Sequence, residues 1–212
     1  MDLSQIALNF AFKPFIVKAS VQTGGRGQYC RNWFSPKGGL WMTQVFDVNN
    51  PAGLSTFISI PILRILKRYS SQVYVKWPND ILVNGKKIAG ILTKKKGKTA
   101  FIGIGINVQN EIPEEMKEIA TSLSAISKAT TSSIWQELIE CEESIITQFI
   151  ENGFAPFKQE YEENLIFLNK TVEINSKQKY LGKAIGISEI GEIIIQTDDG
   201  IVNISSGTVL KF

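Results

Sequence analysis

No histidine occurs anywhere in the 212 residues. Its absence removes His-based catalytic triads, His-rich zinc sites and a histidine general base, so acid–base work falls to carboxylates, lysines or the substrate itself. Cysteine is almost as scarce: Cys30 and Cys141 are too few for a disulfide framework. No apolar run is long enough to span a bilayer, and the N-terminus lacks a basic segment followed by a signal-like apolar stretch. The chain is therefore expected to be cytoplasmic, with no membrane partner. An excess of one charge is also missing. Lys and Arg number 23 against 20 Asp and Glu, a formal charge of +3, and the lysines are spread out, so a nucleic-acid partner is not expected. The single dense basic cluster, Lys94, Lys95, Lys96 and Lys98, reads as a solvated turn. Neither an internal repeat nor a low-complexity segment is visible.

What is present suits a globular chain. Hydrophobic residues make up 43%, enough for one medium domain and a small appendage. Ile58, Ile62, Ile65 and Leu66 recur at helical spacing between Ser55 and Tyr69, after Asn50-Pro51. A second helix is predicted from Ser132 or Ser133 to Ile150, with Ile134, Leu138, Cys141, Ile145 and Phe149 on one stripe and Asn152-Gly153 as its stop. A third begins with Pro156 in its first turn and continues to about Phe167. Beyond Asn169 the pattern changes to short alternating strands, Thr171 to Asn175, Tyr180 to Ile187, Glu192 to Thr197 and Ile201 to Ser205, with Asp199-Gly200 turning between the last two. These predict a small C-terminal β-barrel over residues 169–212, following a larger domain over 1–168.

Chemistry concentrates in Lys76 to Leu92, KWPNDILVNGKKIAGIL. A strand should run through Val73 and Val75 towards Trp77, pause at Pro78 and resume at Ile81, Leu82 and Val83. Asn84-Gly85 is a type I′ hairpin signal that folds Lys86 to Leu92 back antiparallel, so Asp80 and Lys87 face each other across a tight turn. Strict alternation puts Lys87 and Ala89 on one face, with Ile88 and Gly90 on the other. An isolated Asn-Gly-Lys-Lys would be an ordinary surface hairpin. Pro78 cannot donate to a ladder, and such a break in a central strand marks a site more often than a core. Two further stretches carry unusual residues. Gly24, Gly25 and Gly27 surround Arg26 in a loop whose backbone amides can approach an anion, with Arg31, Trp33 and Phe34 following. Phe101 to Val108, FIGIGINV, reads as a buried strand whose Gly103 and Gly105 leave room for a ligand against the backbone.

Together these pieces resemble the biotin protein ligase family, in its short form without an N-terminal DNA-binding domain. The family's GRG loop followed by W-x-S-P-x-G-G-L appears at Gly25 to Gly27 and Trp33 to Leu40. K-W-P-N-D is complete at Lys76 to Asp80, K-x-A-G-I-L at Lys87 to Leu92, and G-x-G-x-N-V at Gly103 to Val108. The resemblance implies an α/β (α+β) fold with a mixed, largely antiparallel sheet and helices packed on it. It implies a biotin-[acetyl-CoA-carboxylase] ligase that uses ATP and Mg²⁺ to form biotinyl-5′-AMP, then biotinylates a lysine of a biotin carboxyl carrier protein domain; a homodimer is expected. Lys87, Arg26 and Asp80 would be catalytic. Biotin would lie against Gln22, Gly25, Arg26, Gly27, Gln28, Trp33, Lys87, Gly90, Gly103 and Gly105. ATP and the adenylate would meet Arg26, Arg31, Lys76, Trp77, Asn79, Asp80, Lys87 and Asn107, with Mg²⁺ near the phosphates.

Two departures accompany the match. Gln28 stands where the family usually continues with another Arg, and an amide donates hydrogen bonds to a phosphate without adding charge; Tyr29 and Cys30 follow where Arg or Asn and Gly are common. Met1-Asp2 falls at the end of the family's Ser-Thr-Asn-Asp or Ser-Thr-Met-Asp element, so either the start is assigned too late or the Ser-Thr pair and the strand before it are missing, and Ser4 could substitute only in a shifted register. The same resemblance leaves two alternatives open: a lipoate ligase or acyl transferase of the same fold, against which the intact KWPND and SPxGGL elements argue, and a non-catalytic biotin- or carrier-binding module.

Overall fold

The structure is a computed structural model that describes residues 14–212, so the Met1-Asp2 and Ser4 positions lie outside the described residues. Six strands form the larger sheet: β1 (Phe15–Ala19), β2 (Leu40–Asp47), β3 (Val73–Lys76), β4 (Asp80–Val83), β5 (Lys86–Lys96) and β6 (Thr99–Ile106), in the order β1-β2-β6-β5-β4-β3. Every ladder is antiparallel. Among the described residues, parallel pairing is confined to two isolated bridges, Val75 with Leu165 and Lys87 with Ala120. On β6 the pleat sends Ile102, Ile104 and Ile106 into the core and leaves Gly103 and Gly105 on the opposite face. One face of the sheet is thus densely apolar, and the other is bare backbone at its centre.

Helices cover the apolar face. Helix α1 (Leu54–Leu66) is apolar nearly all round and buried along almost its whole length, as a central helix must be. Helix α2 (Thr131–Asn152) packs on it, opened by a Thr130–Ser133 capping box and stopped at Gly153, whose φ is 66°. Its buried stripe is Ile134, Leu138, Ile145 and Phe149, with Cys141 half-buried beside them. The third helix is shorter than its apolar pattern predicts: after a 3₁₀ turn at Ala155–Phe157, α3 (Lys158–Glu163) ends before Asn164. The sheet edge wins there. Asn164 accepts from the Val75 amide at 2.9 Å and Ile166 donates to the Val75 carbonyl at 3.1 Å, so Leu165 forms an isolated bridge beside β3, and Leu165 and Phe167 are buried from this bridge and the turns that follow it. Among the described residues no helix is long and apolar enough to cross a membrane.

The C-terminal strands are β7 (Thr171–Asn175), β8 (Lys179–Ile187), β9 (Ile193–Thr197), β10 (Gly200–Ile204) and β11 (Thr208–Lys211), in the order β10-β9-β8-β7-β11. The β9–β10 turn is centred one residue earlier than expected, on Asp198-Asp199, with Thr197 opposite Gly200. Four strands match the predicted ones, and β11 is the fifth. No ladder joins β10 to β11 among the described residues, so the small barrel is seen as a sheet with two edges. One apolar cluster runs through both sheets, from Phe57, Val75 and Trp77 to Val172, Ile187 and Ile195. Trp77 Nε1 also donates to the Gly191 carbonyl at 3.0 Å across that seam.

A carboxylate is enclosed beneath α2. Gln44 on β2 donates to Glu142, whose other oxygen has no hydrogen-bond partner among the described residues. Burial pushes the Glu142 carboxyl up from 4.5 to about 7, against a smaller lowering by Gln44. Because the folded value lies above the unfolded one, the protonated form favours the fold: that contribution is full below the unfolded value and is lost as pH rises towards about 7. Glu142→Gln is expected to stabilise the protein by about 1–3 kcal/mol near pH 8 and to change little near pH 5. Denaturant unfolding of parent and variant at the two pH values checks this; an equal effect at both would contradict the assignment.

Candidate active site

The hairpin predicted at Asn84-Gly85 forms as expected, with φ of 50° and 77° at the two turn residues. Beyond it the strict alternation fails. Ile81 pairs with Ala89 but Leu82 pairs with Lys87, so Ile88 is an extra residue, a β-bulge. Ile88 and Ala89 are both fully buried in the core. The predicted faces are therefore corrected: Lys87 shares its face with Gly90, not with Ala89, because the inserted residue resets the pleat. A Cβ built on Gly90 would stand 3.4 Å from Lys87 Nζ. From this position Lys87 Nζ reaches Asp80 Oδ1 at 2.6 Å, both side chains being partly exposed.

Glycines make the floor of the site. Gly90 on β5 lies opposite Gly105 on β6, and Leu92 opposite Gly103. The Trp33 indole rests on this bare backbone: a Cβ on Gly105 would fall 2.6 Å from Trp33 Nε1, and one on Gly90 3.1 Å from its ring. Lys87 Nζ lies 5.1 Å from the Trp33 ring centroid, within cation–π range. Trp33 Nε1 is buried without a hydrogen-bond partner among the described residues. Trp41 meets Trp33 edge-on at 6.3 Å and donates to the Pro36 carbonyl at 2.7 Å, anchoring the far end of the loop.

The Gly-rich loop folds as an irregular hairpin. Gln22 N–H donates to Ser35 O at 3.0 Å and its side-chain oxygen accepts from Ser35 Oγ at 2.7 Å; Trp33 N–H donates to Gly25 O at 3.0 Å, and Gly27 N–H to Arg31 O at 2.8 Å. A Cβ on Gly25 would sit 2.4 Å from the Trp33 carbonyl, so this crossing requires glycine. Tyr29 and Cys30 at the tip are left-handed, with φ of 54° and 60°, a conformation that costs about 1–2 kcal/mol per non-glycine residue. Arg26 donates to Asn32 Oδ1 at 3.2 Å, and Arg31 Nη2 to Thr208 Oγ1 at 3.2 Å.

Most of these groups converge on one cavity of about 690 Å³ between the two sheets. It is lined by Gln22, Gly25, Arg26, Gly27, Gln28, Arg31 and Trp33 from the loop, by Lys76, Trp77, Asn79, Asp80, Lys87 and Gly90 from the hairpin, and by Gly103 and Gly105. Asn107 alone of the predicted residues is off the wall. It is buried, donating to the Thr121 carbonyl at 3.1 Å and accepting from Asn110 at 3.1 Å. Asn79 lines the cavity while its amide donates to the Ile91 carbonyl at 2.8 Å. Burial lowers the Lys76 pKa; Asp80 opposes this, and the neighbouring Lys87 and Arg31 add to it.

Sequence reasoning missed several parts of the wall, among them two segments far from every motif. Thr208 and Phe212 come from β11 and the residue just past it, where the apolar alternation of Val209 was the available signal. Phe212 packs 5.5 Å from Phe167 and 5.3 Å from Lys76 Nζ. Met116, Glu118 and Ile119 come from a segment with no motif. No group of three or more His, Cys, Asp or Glu is placed to hold a metal ion among the described residues; the carboxylates on the cavity wall are Asp80 and Glu118.

Known proteins share this architecture. The profile of the Biotin/lipoate A/B protein ligase family matches residues 1–109, and that of the Biotin protein ligase C terminal domain matches residues 167–211. The chain is 33% identical to the bifunctional ligase/repressor BirA of Bacillus subtilis, over 97% of its own length and 68% of that protein's. It is 27% identical to the biotin–[acetyl-CoA-carboxylase] ligase of Mycobacterium tuberculosis, over 92% of its length and 78% of that protein's. Among solved structures, the biotin protein ligase from Aquifex aeolicus in complex with biotin and ATP superimposes with a TM-score of 0.87 at 29% identity, covering 97% of this chain and 92% of that one.

Replacing Gly105 with Ala is expected to lift the Trp33 ring off the floor, since the new methyl would fall within van der Waals contact of the indole. The emission of Trp33, isolated by difference from a Trp33→Phe variant, should shift towards that of exposed indole, with the melting midpoint lowered by only a few degrees. Unchanged emission would place the ring elsewhere.

Proposed function

The chain belongs to the Biotin/lipoate A/B protein ligase family, and on that premise we propose that it is an ATP-dependent biotin protein ligase. It joins biotin to ATP as biotinyl-5′-AMP and passes the biotinyl group to a lysine of a biotin carboxyl carrier protein domain. The observation that carries this reading is the Lys87–Asp80 pair at the edge of a side-chain-free Gly90–Gly105 floor. A carboxylate cannot approach a phosphate cheaply: two unit charges ~4 Å apart repel by ~4 kcal/mol at an effective dielectric near 20. A site for this reaction therefore needs preorganised positive charge where the two meet.

In the first step a carboxylate oxygen of biotin attacks the α-phosphorus, the bond to the bridging oxygen breaks, and pyrophosphate leaves with its electron pair. Lys87 stands between the two anions, oriented by Asp80, and Arg26 closes over the same atoms. Gln22, Gly25, Gly27, Gln28, Trp33, Gly90, Gly103 and Gly105 hold biotin. The glycines let the ligand lie on the backbone and the indole gives it an apolar wall. Arg31, Lys76, Trp77 and Asn79 hold the nucleotide, and Asn107 acts from behind the wall by fixing the turn at Thr121. In the second step the acceptor amine attacks the acyl carbon and AMP departs, Asp80 accepting the proton released from the amine. Asp80 and Asn79 also fit a Mg²⁺ ion carried in mainly by phosphate oxygens, the usual arrangement for this ion. Mg²⁺ there would neutralise charge on the departing pyrophosphate.

Within this reading residues 1–168 are the ligase domain and 169–212 the C-terminal domain. The enzyme works in the cytoplasm, which the two free cysteines support. It works as a homodimer.

Lys87→Ala is expected to slow biotinyl-adenylate formation by two to three orders of magnitude, roughly the effect of losing one preorganised electrostatic group, while transfer from synthetic biotinyl-5′-AMP falls much less. Adenylate is followed with labelled ATP and either biotin or lipoate. A variant rate near the parent's would remove the role of Lys87, lipoate-only activity would remove biotin as substrate, and no adenylate from the parent with either acid would remove the enzyme reading.

A further inference from the structure

The loop and the C-terminal sheet meet at one polar contact. Arg31 Nη2 donates to Thr208 Oγ1 at 3.2 Å, joining residues 177 positions apart. The two ends differ in how they are held. Thr208 opens β11 opposite Asn175 of β7, and Ser176 Oγ ties the neighbouring turn by donating to Ser206 O at 2.6 Å. Arg31 sits at the end of the hairpin tip, where the backbone is left-handed at Tyr29 and Cys30, and its guanidinium also lies over the Tyr29 ring, 5.5 Å from the centroid. A strand-borne acceptor thus fixes a loop-borne cation. Arg31, Lys76 and Thr208 line the same cavity, and Phe212 of the C-terminal segment covers Lys76 at 5.3 Å.

We propose that Thr208 is a positioning residue: its hydroxyl holds the Arg31 guanidinium at the phosphate side of the cavity, so that the C-terminal sheet sets how firmly the Gly-rich hairpin grips the nucleotide. The proposal rests on the reading of Arg31 as a nucleotide contact. Its chemistry is selective. Arg31 has only donors, so it needs an acceptor to hold its direction, and the Thr hydroxyl supplies one without neutralising the charge that a polyphosphate requires. A carboxylate in that place would compete with the phosphates. The absence of an arginine at Gln28 makes the aim of Arg31 matter more, since the tip then carries a single guanidinium.

Thr208→Val removes the oxygen and keeps a β-branched side chain suited to the strand. In the full-length protein it is expected to raise KM for ATP by about three- to tenfold, the range for the net worth of one solvent-accessible hydrogen bond. KM for biotin should stay within about twofold and the melting midpoint should not move. Thr208→Ser should restore the parent value. In an Arg31→Ala background Thr208→Val should add nothing, an outcome that a merely structural role for Thr208 would not produce. Trypsin cleavage after Arg31 reads the contact without any activity and should be several-fold faster in Thr208→Val than in the parent. A parent that forms no adenylate would sink the ligase reading, whatever the cleavage rates. An active parent whose Thr208→Val variant keeps its KM for ATP, or shows the same loss with Arg31 absent, would overturn the positioning role.

Discussion

Ile88 has no partner on β4, and this single insertion turns Lys87 towards the cavity. A bulge leaves backbone groups without their ladder partners, which in a buried strand is costly. Here they are taken up by neighbours. The Lys87 amide donates to Ile119 O at 2.8 Å, its carbonyl accepts from Thr121 at 2.9 Å, and the Ile88 carbonyl accepts from Asn107 at 2.8 Å. The fully buried Ile88 side chain contributes on the order of 1.5–3 kcal/mol by its removal from water, which favours the bulged register. Without the insertion Lys87 would share a face with Ala89 and point into the core. The ion pair with Asp80, the contact with Trp33 and the cationic rim all follow from the reset pleat.

The charges around that rim are unequal. Arg31, Lys76 and Lys87 stand near a single close carboxylate, Asp80, and the crowding helps to depress the Lys76 pKa beyond the effect of its burial. An excess of cations in a half-enclosed cavity is uncomfortable alone and well suited to anions, and a polyphosphate relieves the repulsion on binding. Trp33 completes the arrangement from the apolar side. Its ring needs the missing side chains at Gly90 and Gly105, so the glycines that look like weak points in two strands are the condition for the floor.

Much of the site was legible in the sequence because its residues cluster in short motifs whose chemistry is local. Gly25, Asn84-Gly85, Asp80 and Lys87 each carry a backbone or charge requirement that can be read from neighbours. The bulge could not be read, because Ile88 and Ala89 are both apolar and either one suits the core. Asn107 follows two glycines that line the cavity, yet its side chain closes a buried polar network with Thr121 and Asn110, which only tertiary structure reveals. The end of α3 was likewise decided by a distant sheet edge at Val75. Thr208 and Phe212 reach the cavity from the far end of the chain, and no spacing rule connects them to Arg31 and Lys76.

The apolar cluster shared by both sheets bears on how the protein comes apart. A boundary near residue 168 is natural in the order of elements, but no break in packing coincides with it: Phe167 is wholly buried, and Trp77 of the first unit bonds to Gly191 of the second. Units that share a core melt together, because exposing either one's apolar face removes support from the other. The fold is therefore expected to unfold as a single cooperative block, in which loosening residues 169–212 is felt at the floor of the cavity as a loss of global stability rather than as the release of an independent appendage.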